Sequence, residues 1–483
     1  MRAPISVRRL WIGGMMSAIL AGSGADAASL REALISAYNG NPELTGERAA
    51  QDARDADVAI AKSGARPNVG ATADYTENLR RSGLNLTSPH RQLTAGINAS
   101  IPIYQGGAVS NGIKAAKLRN VAGLSTLRST EADVFTQVVA AYMDVIRDAA
   151  IVELNRKNVS VLETNLRATN DRFEVGDVTK TDVAQSEARL AGARSQLDAA
   201  EATLTASRET YLRVIGLAAD ALDPPPPLPN LPQDARDAVD VAIANNPDLL
   251  AARKNAEAFG YDIKVAKAAR LPRLSAVGGA NYLDYFNSLP AASSLGGESI
   301  GTFTQHGTTS SAGLSLTIPL YQGGLPSAQV RRAEAEARRA LEQVVAVERN
   351  VVAQARSAFA NYQAALAVIK SSETAVSANE LALEGTRAEN TVGTRNVLDV
   401  LNAEQELLNS RVQLVSARRD AYVAGFALLA AMGKAGAADL GLDGGTLYDP
   451  SVHYRKTAND WWDWHSDGPP RAVAPSTYGP SDK

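Results

Sequence analysis

Cysteine is absent from the 483 residues, which excludes disulfides, thiolate metal ligands and a lipid-anchored N-terminal cysteine. Aromatic residues make up only 5%. That is too few for a bulky globular core and suits long helices packed through small side chains. Histidine is scarce as well. His90, His306, His453 and His465 are scattered, whereas a metal site needs clustered ligands. No G-x-S-x-G, H-E-x-x-H or phosphate-binding loop is present, so neither catalysis nor a cofactor finds support. No basic block stands out after the N-terminus, and the net charge is −3, which argues against a nucleic-acid partner.

Long apolar runs are also missing. The nearest is Leu10 to Leu20, preceded by Arg2, Arg8 and Arg9 and followed by Ala25, Asp26 and Ala27. A basic end, a short apolar stretch and an A-x-A-type site predict a cleaved secretory signal over 1–27. The stretch is well short of the ~20 residues that span a bilayer. No other segment is apolar enough, so a membrane location requires strands.

What the chain does have is a repeat. Ile101–Gly107 reads IPIYQGG, and Ile318–Gly324 reads IPLYQGG, 217 residues later. The same offset relates Gly176 to Gly393, Asp182 to Asp399 and Gly216 to Gly433. Two copies of one unit follow. The expected organisation is a first repeat over 28–222, a proline-rich connector over 223–236 and a second repeat over 237–433. An irregular tail over 434–483 carries Trp461, Trp462 and Trp464, to which the sequence assigns no role.

Each copy begins with a helical pattern broken by an Asn-Pro pair, Asn41–Pro42 and Asn246–Pro247, and then changes period. From Leu93 to Ile101 apolar residues alternate with small or polar ones, and Ala312 to Ile318 does the same. This period suits outer-membrane strands, although a half-buried strand of a soluble sheet would read alike. Asn68–Thr76 and Ser275–Leu283 are the expected partners, giving one hairpin per copy. Four strands cannot close a barrel, and lipid tolerates no open edge. Membrane strands would therefore require several chains in one barrel.

Beyond each IPxYQGG the pattern turns helical. Pro102 and Pro319 are expected to end the strands, with Gly106, Gly107, Gly323 and Gly324 forming the turns. Val109 to Phe173 contains no proline and predicts a helix about 100 Å long; Ser327 to Glu389 repeats it. Return helices carry Val183, Leu190, Leu197, Leu204 and Tyr211 seven apart, with Val400, Leu407, Leu414, Ala421 and Leu428 as counterparts. Heptads with small residues at the second seam position predict close coiled-coil packing. The fold class expected is mainly α with a small β part.

These features resemble the TolC family of outer-membrane channel proteins. The likeness rests on the duplicated strand-to-helix turn, the Asn-Pro pairs and the helix tips RFEVGDVTKTDV from Arg172 and NTVGTRNVLDVLNAEQ from Asn390. It implies a homotrimer in the outer membrane, with a twelve-stranded barrel continuing into a periplasmic helical tunnel. It also implies a periplasmic adaptor and an inner-membrane ABC or RND-type transporter as partners, in drug efflux or type I secretion. Two other readings compete with it: a stand-alone porin-like pore, which needs no helical tunnel, and a periplasmic adaptor, which would have one helical hairpin.

The resemblance also carries site expectations. Thr181 and Asp182 on one tip would face Arg395 on the other or in a neighbouring copy, with an Asp182–Arg395 bridge holding the entrance shut. Asp399 would form a three-fold carboxylate ring that favours cations. Asn402 stands where a second ring aspartate would be expected, and Asn390 where a gating tyrosine would be. Weaker selectivity and a less firmly held closed state are therefore expected. Val175, Gly176 and Asp177, with Val392, Gly393 and Thr394, match the tips that adaptors engage. From the residues alone, Asp182 and Asp399 also suit the first turn of a helix, and both glycines suit a turn.

Overall fold

The computed structural model describes residues 28–80, 89–219, 221–229, 231–289, 294–295, 298–299, 304–442 and 447–477. The expected signal over 1–27 lies outside the described residues, as does part of each strand-connecting loop. The first repeat runs α1 (Leu30–Gly40), α2 (Pro42–Ser63), β1 (Asn68–Glu77), β2 (Arg91–Tyr104), α3 (Ala108–Glu174) and α4 (Lys180–Ile215). The second runs α5 (Ala235–Asn245), α6 (Pro247–Ala268), β3 (Arg273–Asp284), the two-residue strands β4 (Ser294–Leu295) and β5 (Glu298–Ser299), β6 (His306–Thr317), α7 (Leu325–Thr391) and α8 (Val397–Ala431). A final helix, α9 (Pro450–Thr457), lies in the tail.

The Asn-Pro pairs explain how each copy starts. Asn41 accepts from the backbone N–H of Glu43 and Leu44 and so caps α2, while Pro42 occupies the first helical position, where no N–H is needed. Its amide also donates to the Val214 carbonyl at the end of α4, at 3.0 Å. Asn246 does the same in the second copy, capping α6 and donating to Ala431 at the end of α8 at 3.2 Å. One residue thus closes each repeat on itself.

Four long strands form an antiparallel sheet in the order β1-β2-β3-β6. The register puts Ile97 opposite Ala71 and Ala280, Ala99 opposite Val69 and Gly278, and Leu314 opposite Ala276. Directly paired residues share a face, so the apolar sets of all four strands merge into one surface. The other face carries Asn98, Gly96, Thr94, Asn281, Ser311 and Thr309. Among the described residues the outer edges of β1 and β6 have no partner strand, and every residue of both strands is exposed. No helix among the described residues is long and apolar enough to cross a membrane.

Pro102 does not end its strand. β2 continues to Tyr104, with the register shifting between Pro102 and Tyr104. A proline lacks the N–H that a regular ladder uses, but an irregularity accommodates it. In the second copy β6 stops at Thr317, before Pro319. Both strand-to-helix turns place two successive glycines at positive φ: Gly106 at 62° and Gly107 at 80°, Gly323 at 61° and Gly324 at 82°. L side chains are strained there.

α3 and α7 each run 67 residues, about 100 Å at 1.5 Å per residue. α3 packs along α4 and α7 along α8, and α3 also contacts α8. The main core sits at the waist, where Phe135, Val138 and Tyr142 of α3 meet Leu30 and Leu34 of α1, Tyr211 and Ile215 of α4, and Phe426, Leu428 and Leu429 of α8. The Tyr142 hydroxyl lies 2.9 Å from the Ala28 carbonyl and 2.8 Å from that of Asp223, tying the start of the first repeat to the connector. Away from the waist the seams are less covered. Leu197 and Leu204 are half-buried, and Leu341, Val345 and Leu381 of α7 are exposed.

Expected to be irregular, the tail holds α9. Asp449 accepts from the Ser451 N–H and Pro450 opens the helix, a start signal that a segment of eight residues makes easy to miss.

Candidate functional site

The two helix tips are built alike. Phe173 and Arg172 at the end of α3 accept, through their carbonyls, from the N–H groups of Gly176 and Asp177. Gly176 takes a φ of 81° and Gly393 one of 83°. In the second tip Gly393 and Thr394 donate to the carbonyls of Asn390 and Glu389. These bonds satisfy carbonyls that a helix end leaves free. An ion pair then spans each turn: Arg172 Nε to Asp177 at 2.7 Å, and Arg395 Nε to Glu389 at 2.8 Å. Val175 and Val392 crown the tips and are 80% and 74% exposed.

Asp182 sits in a capping box. Its carboxylate accepts from the Thr179 N–H at 2.8 Å, and its own N–H donates to the Thr179 hydroxyl. The Thr179 backbone and hydroxyl hold Asp182 below the usual carboxylate range, with Arg172 adding to the effect. Asp399 occupies the matching place in α8, its N–H donating to Asn396 at 2.8 Å, with Arg395 Nη1 3.8 Å from its carboxylate.

Within one chain the expected Asp182–Arg395 bridge does not form. Each residue is held by its own tip, Asp182 by Thr179 and Arg395 by Glu389 and Asp399. Local partners three to six positions away in sequence satisfy both groups before the other tip comes into play. Thr181 is exposed beside Asp182. Asn390 donates to the Arg395 carbonyl at 2.8 Å, so the residue at the expected tyrosine position holds its own turn closed.

Two contacts that the sequence does not announce join the hairpins just behind the tips. Arg189 Nη2 on α4 donates to the Asn402 side-chain oxygen on α8 at 2.6 Å. Glu404, whose side chain is 5% exposed, accepts from Arg387 of α7 at 2.8 Å and from Asn165 of α3 at 3.0 Å. Around them Leu162, Leu190, Ala193 and Leu401 form a small apolar cluster from α3, α4 and α8. In the sequence only the heptad position of Leu190 and the single acid within VLNAEQ point to this cluster.

Far from the tips, Asp52, Asp55 and His453 place ligand-capable atoms within 4.8 Å of one another. The fold thus draws one histidine, scattered in sequence, to two acids of α2. Its Nδ1 lies 2.9 Å from Asp55, and Asp55 also accepts from Asn120 at 2.5 Å and Gln51 at 3.3 Å. Tyr448 donates to Asp52 at 3.1 Å. Both carboxylates thus face His453 and also accept from neutral donors.

Comparison with known proteins fits this architecture. The pattern of the family described as outer membrane efflux protein matches residues 34–217 and 238–434. Outer membrane efflux protein BepC of Brucella suis is 34% identical over 92% of this chain and 93% of its own length. Outer membrane protein TolC of Vibrio cholerae is 30% identical over 84% of this chain and 91% of its own. Among solved structures, outer membrane protein VceC of Vibrio cholerae superposes with a TM-score of 0.70 at 21% identity, covering 84% of this chain and 96% of the other; it shares the fold. The chain belongs to the outer membrane efflux protein family.

Proposed function

We propose that this protein is the outer-membrane duct of a tripartite export system, passive and trimeric, driven by an inner-membrane transporter through a periplasmic adaptor. One observation carries the reading. A four-stranded sheet with a continuous apolar face and two unpaired edges is joined in one chain to helical hairpins about 100 Å long. Lipid tolerates no open edge, so β6 of one copy pairs with β1 of the next, and three copies give twelve strands. The exposed apolar residues of α7 then face a neighbouring copy. Relatives named for efflux and for secretion of an alkaline protease support an export role of either kind.

At the closed end, Arg395 reaches Asp182 of a neighbouring copy when it leaves Glu389. Exposed ion pairs contribute little, so the exchange is easy and the entrance sits near a two-state balance. Three copies of Asp399 ring the opening and concentrate cations. The exposed Val175 and Val392, with Gly176, Asp177, Gly393 and Thr394, offer the surface an adaptor takes. A porin-like pore would have no use for such hairpins, and an adaptor would lack the sheet with its apolar face.

The test is single-channel conductance of purified protein in a planar bilayer, with the reversal potential under a salt gradient. A small, cation-preferring conductance that rises in Arg395→Ser supports the gated duct. A large ungated conductance returns the porin-like reading. No conductance from protein that does not enter bilayers returns the adaptor.

A further inference from the structure

The tail after the second repeat does not simply trail away. It makes an excursion along α2 and returns. Tyr448 starts beside the end of α1, its N–H donating to the Tyr38 hydroxyl at 3.0 Å. α9 follows α2 outward, with His453 on Asp55 and the Ala458 carbonyl on Lys62 Nζ at 2.8 Å. The chain then turns at Asp460 to His465, where Asp460 accepts from the Trp462 N–H at 3.0 Å and pairs with His465 at 2.7 Å. On the way back Asp467 meets Lys456 at 2.6 Å and His453 at 3.5 Å. Finally Pro475 lies against Gly40, at the α1–α2 corner where the excursion began.

The turn of this excursion carries Trp461, Trp462 and Trp464, which are 68%, 64% and 86% exposed. It is fastened to Arg66. That guanidinium lies 4.6 Å from the Trp461 ring centroid and donates to the Asp460 carbonyl. Arg66 stands two residues before β1, whose first residue, Asn68, pairs with Ser100. The same end of the sheet exposes Tyr104, Leu320 and Tyr321. The turn that carries the three tryptophans is therefore tied to the helix-side rim of the strands, with Lys62 and Arg66 alongside.

We propose that this tryptophan turn is an anchor in the inner leaflet of the outer membrane, seated at the headgroup level beside the barrel. Tryptophan favours that depth because its ring is apolar and its indole N–H still reaches polar partners. Lysine and arginine beside it suit phospholipid phosphates. Solvent explains neither the exposure of three large rings at one turn nor a path that returns to its origin after presenting them. The proposal rests on the reading of the sheet as membrane-inserted.

The chain contains four tryptophans, and the fourth is Trp11. Trp11 falls in the expected signal over 1–27, so in protein purified without that segment all tryptophan emission comes from this turn. That protein is reconstituted in phosphatidylcholine vesicles brominated high in the acyl chain, with co-flotation reporting insertion of the barrel independently. The expected result is loss of most of the emission to bromine and little to aqueous acrylamide. Emission quenched mainly by acrylamide in floated protein overturns the anchor and leaves the barrel standing. Emission that neither agent reaches overturns it too, and assigns the turn to a neighbouring copy. Failure to float with the vesicles would count against membrane insertion itself.

Discussion

Asn165 of α3 and Glu404 of α8 meet behind the tips, the amide nitrogen 3.1 and 3.0 Å from the two carboxylate oxygens. They stand 239 positions apart, and each lies about three turns from the glycine of its own tip. This contact, with Arg387 on the same carboxylate, joins the two hairpins of a chain at the level where they would have to part for a duct to open. Replacing Glu404 by Ala leaves Asn165 without its partner in a partly buried setting and should cost about 1 kcal/mol. We expect faster hydrogen exchange over both tips and a higher open probability in bilayers. Glu404→Gln should retain the Asn165 contact and show a smaller effect; equal effects from the two substitutions would argue that the carboxylate charge facing Arg387, which both remove, matters there and not the Asn165 hydrogen bond.

Arg189 changes what the expected ring should do. Its guanidinium occupies the Asn402 oxygen at 2.6 Å, one turn beyond Asp399, so a positive charge stands beside the position where a second ring acid was expected. Asn402→Asp alone should therefore raise cation preference only slightly, because Arg189 would neutralise the new carboxylate. Asn402→Asp combined with Arg189→Gln should raise it clearly. Reversal potentials of the wild type and the two variants separate the cases, and a full effect from Asn402→Asp alone would mean that Arg189 does not face that site in the assembly.

Much of this architecture could be read from residues, and the reasons are local. Period-two alternation from Leu93 to Ile101 marked β2, and the lack of proline from Val109 to Phe173 marked α3, which spans Ala108–Glu174. Such signals come from near neighbours along the chain. The contacts that organise the tips do not. Arg189 and Asn402 are 213 residues apart, and nothing in either neighbourhood names the other. The pairing of Asp182 with Arg395 came from resemblance, and in the single chain local caps claim both. α9 and its return path were illegible because a short polar helix bound through His453 and Lys62 leaves no hydrophobic period to find.

The Asn-Pro pairs offer a test of the repeat. Asn41 and Asn246 each cap a helix and reach the end of the same copy's return helix. Loss of an N-cap side chain costs about 0.5–2 kcal/mol, and loss of the second bond adds to it. Asn41→Ala and Asn246→Ala should therefore lower thermal stability by similar amounts, with their effects adding in the double variant because the two share no hydrogen-bond partner. Melting followed by circular dichroism checks this. A large effect in one copy and none in the other would mean that the two repeats are not held by the same device.

His453 makes the tail sensitive to pH at both ends of a window. Burial opposes its charge, but Asp55, Asp52 and Asp467 outweigh that and hold the imidazolium above the ordinary histidine range. The stability it contributes is fully present below the unfolded value of about 6.5 and is lost as pH rises through the raised folded value. Asp467 behaves in the opposite sense. Lys456 and His453 hold its carboxyl below the usual range, so its contribution is present above the unfolded value of about 3.9 and disappears as pH falls through the lower folded one. The attachment of α9 to α2 should thus be firmest between these limits. Hydrogen exchange over 450–457 measured against pH should show protection falling on the alkaline side in the wild type. In His453→Gln protection should already be reduced at the lower pH, and the alkaline step should vanish. Should that step persist in His453→Gln, His453 is not the group that releases α9, and Tyr448 cannot stand in for it. Its hydroxyl donates to Asp52, and burial together with the nearby carboxylates raises its own ionisation well above the ordinary tyrosine range, so its loss of charge neutrality would fall at a distinctly higher pH than that of His453.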